Sequence, residues 1–217
     1  LISDMHLGRW FGNRQIDKLV NLVDAQDVDV VVIAGDIMND TTIAYDKTNM
    51  HERLSKLEAP LGVYATLGNH DYLGYEKRIA DAVERAGIKA LDNESIQLEN
   101  SVWLVGRSDD VDLTRLTAKE LLTHVETDKP VIFLEHRPTA LDEISILPID
   151  LHLSGHTHGG QIFPLTTLMQ WFTPLAHGSK KIEETWFLVT SGYGFGAVPF
   201  RLGTRSEIWV ITLQQAP

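Results

Sequence analysis

The sequence predicts an α/β fold of the α+β kind, with two β-sheets face to face and helices flanking them. Three observations lead there. Short apolar runs alternate with helical stripes in the first half, and the second half is richer in strand-like runs. Polar residues able to bind metal recur just past those runs, at Asp4-Met5-His6, Gly35-Asp36, Gly68-Asn69-His70, His136 and His156-Thr157-His158. Open α/β sheets bind ligands outside the carboxyl ends of their strands. Two facing sheets with helices outside would bury this many apolar strands.

Leu1–Ser3 reads as the end of a strand that delivers Asp4. Ile16, Leu19, Val20 and Val23 fall at the i, i+3, i+4, i+7 spacing of an amphipathic helix. Residues 28–34 form a nearly continuous apolar run, as expected of a strand buried on both faces. Residues 51–57 read as a helix that stops before Pro60, and residues 61–67 as the next strand. Ile79, Ala82, Val83 and Ala86 make another helical stripe, ended by Gly87. The 32 residues from Asp4 to Asp36 and the 33 from Asp36 to Asn69 each suit one strand-helix-strand unit with a right-handed crossover. Later strands are expected over 95–98, 102–106, 131–134, 151–154, 186–190 and 207–213, with a helix over 116–125.

Composition narrows the function classes. The formal net charge of −11 disfavours electrostatic binding to nucleic acid, which needs a basic footprint. Carboxylates that hold metal contribute to that count. No cysteine is present, so thiolate and disulfide chemistry are excluded and any metal is held by nitrogen and oxygen donors. No stretch approaches the roughly 20 apolar residues of a membrane span. The abrupt start inside a strand suggests that upstream sequence is missing, and an anchor or export signal could lie there.

Asp4, His6, Asp36, Asn69, His70, His136, His156 and His158 form the candidate site. Two carboxylates, an amide and five imidazoles suit Mn²⁺, Fe or Zn²⁺ and are too nitrogen-rich for a dedicated Ca²⁺ site. Seven ligands exceed one tetrahedral ion but fit two ions sharing a carboxylate. Glycines around the paired histidines let backbone pass close to an ion.

In these five blocks, from Asp4 to His158, the chain resembles the calcineurin-like metallophosphoesterase superfamily. The resemblance implies a two-sheet β-sandwich with flanking helices, with residues 1–217 as one such domain. It implies that Asp4, His6 and His158 hold one ion, that Asn69, His136 and His156 hold the other, and that Asp36 bridges them. It implies two divalent cations, Mn²⁺ foremost, with Zn²⁺ or Fe as alternatives. The implied reaction is phosphoester hydrolysis by a metal-bridged hydroxide, with His70 as general acid or electrostatic stabiliser at the leaving group. One departure from the family stands out. Many members carry an acid three residues after the bridging aspartate, where it orients the motif histidine; here Asn39 holds that place, with Asp40 next, and Asp71 could supply the charge instead.

The segments Gly155–Ile162 and Gly192-Tyr193-Gly194 through Pro199, Arg201 and Glu207-Ile208 are similar to a bacterial branch of small, often membrane-associated phosphodiesterases, which includes UDP-2,3-diacylglucosamine pyrophosphatases. The implied substrate is a phosphodiester or pyrophosphate, with a lipid-linked one as its narrower form; phosphoprotein or small-molecule phosphomonoesters are the alternative. A metal-binding interaction scaffold without catalysis is the non-enzymatic alternative, and intact ligand positions argue against it. Nuclease activity is disfavoured by the acidic balance.

Arg137, beside His136, suits bidentate contact with a substrate phosphate, and Arg107 and Arg201 are weaker candidates. His51, His124, His152 and His177 read as surface or hydrogen-bonded residues. Residues 165–175 carry Leu168, Met169, Trp171 and Phe172. They read either as a packed lid or as a hydrophobic lip for an acyl chain or membrane surface, in which case Trp171 and Phe172 are solvent-exposed. Membrane association, through this lip or a preceding segment, is the expected location, with the cytoplasm as alternative. Gly192-Tyr193-Gly194-Phe195-Gly196 lacks the spacing of a dinucleotide fingerprint.

Overall fold

Alternation along two strands sets the layering. Residues 1–214 are described by a computed structural model. Strand β1 (Val31–Ala34) sends Val31 and Ile33 to one side and Val32 and Ala34 to the other, as a two-residue pleat requires. The first side packs against α1 (Asn13–Asp24), α2 (Ile43–Lys47), α3 (Met50–Leu54), α4 (Asn69–Leu73) and α5 (Glu76–Glu84). The second side faces another sheet, where Val32 and Ala34 join Leu104, Ile132, Leu134, Leu153 and Leu188. Strand β6 (Val131–Leu134) divides the same way: Ile132 and Leu134 enter the layer between the sheets, while Val131 and Phe133 pack against α6 (Ala118–Leu121) and α7 (Leu141–Ser145). The result is helices, sheet, sheet, helices, the expected two-sheet sandwich.

The first sheet is parallel, in the order β1-β2-β3, with β2 at Val63–Thr66 and β3 at Lys89–Ala90. Ile2 bridges Ile33 in parallel, so the first residues extend this sheet beyond β1. The second sheet has the order β4-β5-β6-β7-β9-β8, with β4 at Glu94–Leu98, β5 at Val102–Gly106, β7 at Leu151–Ser154, β8 at Gly178–Ile182 and β9 at Thr185–Val189. Its four inner strands are parallel and its two edges antiparallel. Asp36, Asn69, His136 and His156 each follow the carboxyl end of a parallel strand, which gathers them at one end of the sandwich.

Local differences from the sequence reading have physical causes. The expected helix over 116–125 is one α-turn, capped by Thr117 and Glu120 in a reciprocal capping box, then a 3₁₀ turn at Leu122–His124. The helix expected over 51–57 is Met50–Leu54. Residues 207–213 do not form the expected strand. Trp209 exchanges two backbone bonds with Leu1, the amide to Leu1 O at 3.0 Å and the Leu1 amino group to Trp209 O at 2.7 Å. On that edge the next residue, Ser3, gives its carbonyl to the Tyr193 amide instead, so the pairing stops there. No helix among the described residues is long and apolar enough to cross a membrane.

Candidate metal centre

The backbone at the strand ends is turned sharply. Asp4, His6, Asp36, His156 and His158 all have φ between 46° and 69°, a left-handed conformation that costs non-glycine residues energy and clusters at functional sites. Gly35, at φ 74°, permits a close approach: a Cβ there would lie 2.6 Å from Nδ1 of His136 and 2.8 Å from the amide nitrogen of Gly68. The β1 turn, the His136 ring and the turn before Asn69 therefore pack backbone to side chain. The His136 ring is further fixed by Nδ1, 2.8 Å from Ala34 O, which aims Nε2 into the site.

Two triads result. Asp4, His6 and His158 form one, and Asp36, His136 and His156 the other. In the first, His6 Nε2 lies 3.2 Å from His158 Nε2, and Asp4 Oδ1 lies 3.4 Å from His158 Nε2. In the second, His136 Nε2 is 3.2 Å from both Asp36 Oδ2 and His156 Nδ1. Asp36 Oδ2 is also 3.6 Å from His6 Nε2, so this carboxylate stands between the triads. His6, Asp36 and His70 form a third overlapping group, and the His6 and His70 rings meet edge to face at 4.9 Å.

The donor set fits divalent cations. Donors bound at about 2.0–2.2 Å to one ion stand roughly 3.0–3.6 Å apart, the spacing seen here except between Asp4 Oδ1 and His6 Nε2, at 4.0 Å. Asp4 Oδ1 and Asn69 Oδ1 are buried without a hydrogen-bond partner, and buried carboxylate or amide oxygens are seldom left so. Burial pushes His6 and His156 down to about 4, keeping both imidazoles in the neutral form that binds metal. Burial would also lower His136, but Asp36 overrides it and holds this imidazole up at about 10, while the same pairing depresses Asp36.

His70 is oriented by Asp40, whose Oδ1 lies 2.6 Å from His70 Nδ1. Neither Asn39 nor Asp71 supplies this contact. Asp71 is fully buried and accepts from the backbone amides of Gly68, Ile37 and Met38 at 2.9–3.1 Å. Burial and nearby Asp36 raise its carboxyl to about 7.

The other candidates are placed differently. Arg137 Nε lies 3.2 Å from Asp109 Oδ2 and its Nη1 2.9 Å from Asp110 Oδ1, so its charge is already matched. Arg107 and Arg115 converge on buried Glu135, which also meets His152 Nε2 at 2.9 Å. Arg201 donates to the carbonyls of Ser191, Gly192, Gly194 and His158, binding the loop after β9 to the histidine loop. His177 Nε2 lies 2.9 Å from Glu207. Helix α8 (Leu165–Phe172) buries none of its residues, and Trp171 and Phe172 are 75% and 82% exposed. The helix is therefore not a packed lid. Gln161, whose side-chain amide bonds the backbone of Gly196, Val198 and Phe200, and Glu135 carry no sequence signal, since nothing in their spacing distinguishes a clamp or hub from a surface residue.

The sequence profile described as Calcineurin-like phosphoesterase matches residues 1–160. A Danio rerio protein named "Transmembrane protein with metallophosphoesterase domain" is 34% identical over all of this chain and 53% of its own length. An "Uncharacterized metallophosphoesterase" of Aquifex aeolicus is 31% identical over 98% of this chain and 83% of its own. The chain thus spans about half the length of the first of these curated relatives. The crystal structure of TT1561 of Thermus thermophilus superposes with a TM-score of 0.57 at 15% identity, covering 89% of each chain, which shows a shared fold.

Proposed function

The chain belongs to the calcineurin-like phosphoesterase family, and from that premise we propose that it hydrolyses a phosphodiester or pyrophosphate at a binuclear metal centre. Membership indicates a metal-dependent phosphoester hydrolase. The observation that carries the binuclear reading is Asp36 Oδ2, 3.2 Å from His136 Nε2 and 3.6 Å from His6 Nε2, between two triads of metal-ligating side chains.

In this reading Asp4, His6 and His158 hold one cation, Asn69, His136 and His156 the other, and Asp36 both. When bound, a pair of divalent ions supplies Lewis acidity that activates water and offsets charge on the phosphoryl oxygens. Mn²⁺ is the preferred ion, Zn²⁺ or Fe the alternatives, from the mix of nitrogen and oxygen donors. His70 supplies the proton chemistry. With Nδ1 engaged by Asp40, the ring turns Nε2 toward the departing oxygen, and general acid help from such a position is typically worth roughly 10²–10⁴ in rate. Arg137 is a secondary contact, because Asp109 and Asp110 already hold its guanidinium.

A lipid-linked substrate is the narrower form of the proposal. It draws on the Danio rerio and Bos taurus relatives, both named transmembrane proteins with a metallophosphoesterase domain and aligned along the whole chain. The test is hydrolysis of bis(p-nitrophenyl) phosphate against p-nitrophenyl phosphate with Mn²⁺ present. Faster diester cleavage is expected. Preference for the monoester would move the assignment to a phosphomonoesterase, and bound metal without hydrolysis of either would make the chain a scaffold.

A further inference from the structure

The two halves of the metal centre are held by different segments. The triad of Asp36, His136 and His156 is framed from the end of β1, where Gly35 lies against the His136 ring and Ala34 O meets its Nδ1. The triad of Asp4, His6 and His158 is framed by the loop from Ser191 to Arg201 that follows β9. That loop lies outside residues 1–160, the span matched by the family profile.

The loop runs along the first triad. The amides of Tyr193 and Gly194 donate to Ser3 O and Asp4 O at 2.9 and 2.8 Å. Gly192 comes so near that a Cβ there would lie 2.6 Å from Asp4 Cβ. Further on, a Cβ at Gly196 would lie 2.9 Å from His158 Nε2. That is the atom found 3.2 Å from His6 Nε2 and 3.4 Å from Asp4 Oδ1. Asp4 is turned by its other oxygen: Oδ2 accepts from the Ser3 hydroxyl at 2.6 Å and the His156 amide at 3.1 Å, which leaves Oδ1 for the triad.

Two side chains fasten this loop. Arg201 donates through Nε to Gly194 O at 2.9 Å, through Nη2 to Ser191 O at 2.7 Å and Gly194 O at 2.6 Å, and through Nη1 to His158 O at 3.3 Å. One planar fork thereby joins the loop to the turn that carries His158. Gln161, a buried residue, donates through Nε2 toward the carbonyls of Gly196, Val198 and Phe200 at 2.9–3.1 Å, and its Oε1 accepts from the Gly196 amide at 2.9 Å. Gly196 is thus gripped at both its amide and its carbonyl, beside the ligating nitrogen of His158. Partners that orient metal ligands typically change metal affinity by about 10–100-fold when lost.

We propose, resting on the binuclear reading, that Arg201 and Gln161 are positioning residues for one half of the centre. They set the loop against Asp4 and His158, and so govern the affinity for the ion those side chains take and not for the ion at Asn69, His136 and His156. The full chain, stripped of metal, is titrated with Mn²⁺ by isothermal calorimetry, and electron paramagnetic resonance distinguishes a coupled Mn²⁺ pair from an isolated ion. Wild type should take up two ions. Gly196→Ala breaks no hydrogen bond, and Gly196 is not in the left-handed region, so the backbone accepts the change and the methyl displaces the His158 ring. In this variant one Mn²⁺ should bind tenfold or more weakly and the other within twofold of wild type, with the coupled signal appearing only at the higher Mn²⁺ concentration. Arg201→Lys keeps the charge without the fork, and Gln161→Glu keeps the shape without the donor; both should lose the same single ion. Circular dichroism of metal-free Gly196→Ala should match wild type, so that variant decides the matter even where the other two fail to fold. Equal weakening of both ions in Gly196→Ala, or of neither, overturns the proposal. Folded Arg201→Lys and Gln161→Glu that bind both ions like wild type overturn it too. Failure of the binuclear reading looks different: wild type itself takes up a single Mn²⁺, before any variant is compared.

Discussion

Asp40 reaches the Nδ1 of His70 with its Oδ1 at 2.6 Å, from a position one residue later than the family pattern leads one to look. The left-handed backbone of Asp40, φ 63°, turns its carboxylate toward the histidine and leaves Asn39 out of the contact. A carboxylate at Nδ1 fixes the ring orientation, which sets where Nε2 faces.

Asp40→Ala should therefore lower turnover on bis(p-nitrophenyl) phosphate by roughly 10–100-fold, the usual cost of losing a partner that orients a functional histidine. Metal content should not change. Asn39→Ala should stay within a few-fold of wild type. Steady-state kinetics with metal analysis of both variants makes the comparison, and the reverse ranking would refute the Asp40 role.

His70→Ala should cut kcat by about 10²–10⁴ with both ions retained. The check is kcat measured beside metal stoichiometry; unchanged turnover would remove His70 from the chemistry.

Asp71 clasps three backbone amides of the two loops that carry Asp36 and Asn69. Removing the acceptor leaves buried N–H groups unpaired at about 1–3 kcal/mol each. Asp71→Ala should lower the Tm by roughly 6 °C or more, taking about 3 kcal/mol in all and 2–4 °C per kcal/mol for a chain of this size. Calorimetry that finds no shift would show that these loops hold without the clasp.

Stability should depend on pH through Glu207. Burial would raise this carboxyl, but His177, the Ser191 amide and the Trp209 indole together hold it down at about 2. A carboxyl depressed by folding stabilises above its unfolded value of 4.5 and loses that contribution as pH falls toward 2. Glu207→Gln should therefore be less stable than wild type at pH 6, with the gap closing between pH 4.5 and 2. Urea midpoints across that range measure it, and a gap that widens with acid would contradict the assignment.

Much of this was legible because apolar runs announce where strands end. Val31–Ala34 and Val131–Leu134 point directly at Asp36 and His136, and the 32- and 33-residue intervals imply the crossovers that align them. What stayed hidden depends on backbone angle and long-range pairing. The left-handed turn at Asp40 cannot be read from Asn39-Asp40, and nothing adjacent to Arg137 reveals that Asp109 and Asp110 come to meet it. Residues 207–213 are as apolar as a strand, yet Trp209 alone pairs with Leu1, while the Glu207 amide turns to Gly192 O. The exposure of Trp171 and Phe172 was undecidable from sequence, since an apolar helix reads the same whether packed or bare.

Metal stoichiometry in the wild type and in Asp36→Asn tests the central claim most directly. Inductively coupled plasma analysis of the Mn²⁺-loaded wild type should give two ions per chain. In Asp36→Asn occupancy of both positions should fall, because one carboxylate stands 3.2 Å from His136 Nε2 and 3.6 Å from His6 Nε2. Two ions bound as tightly in Asp36→Asn as in wild type would contradict the shared-carboxylate centre.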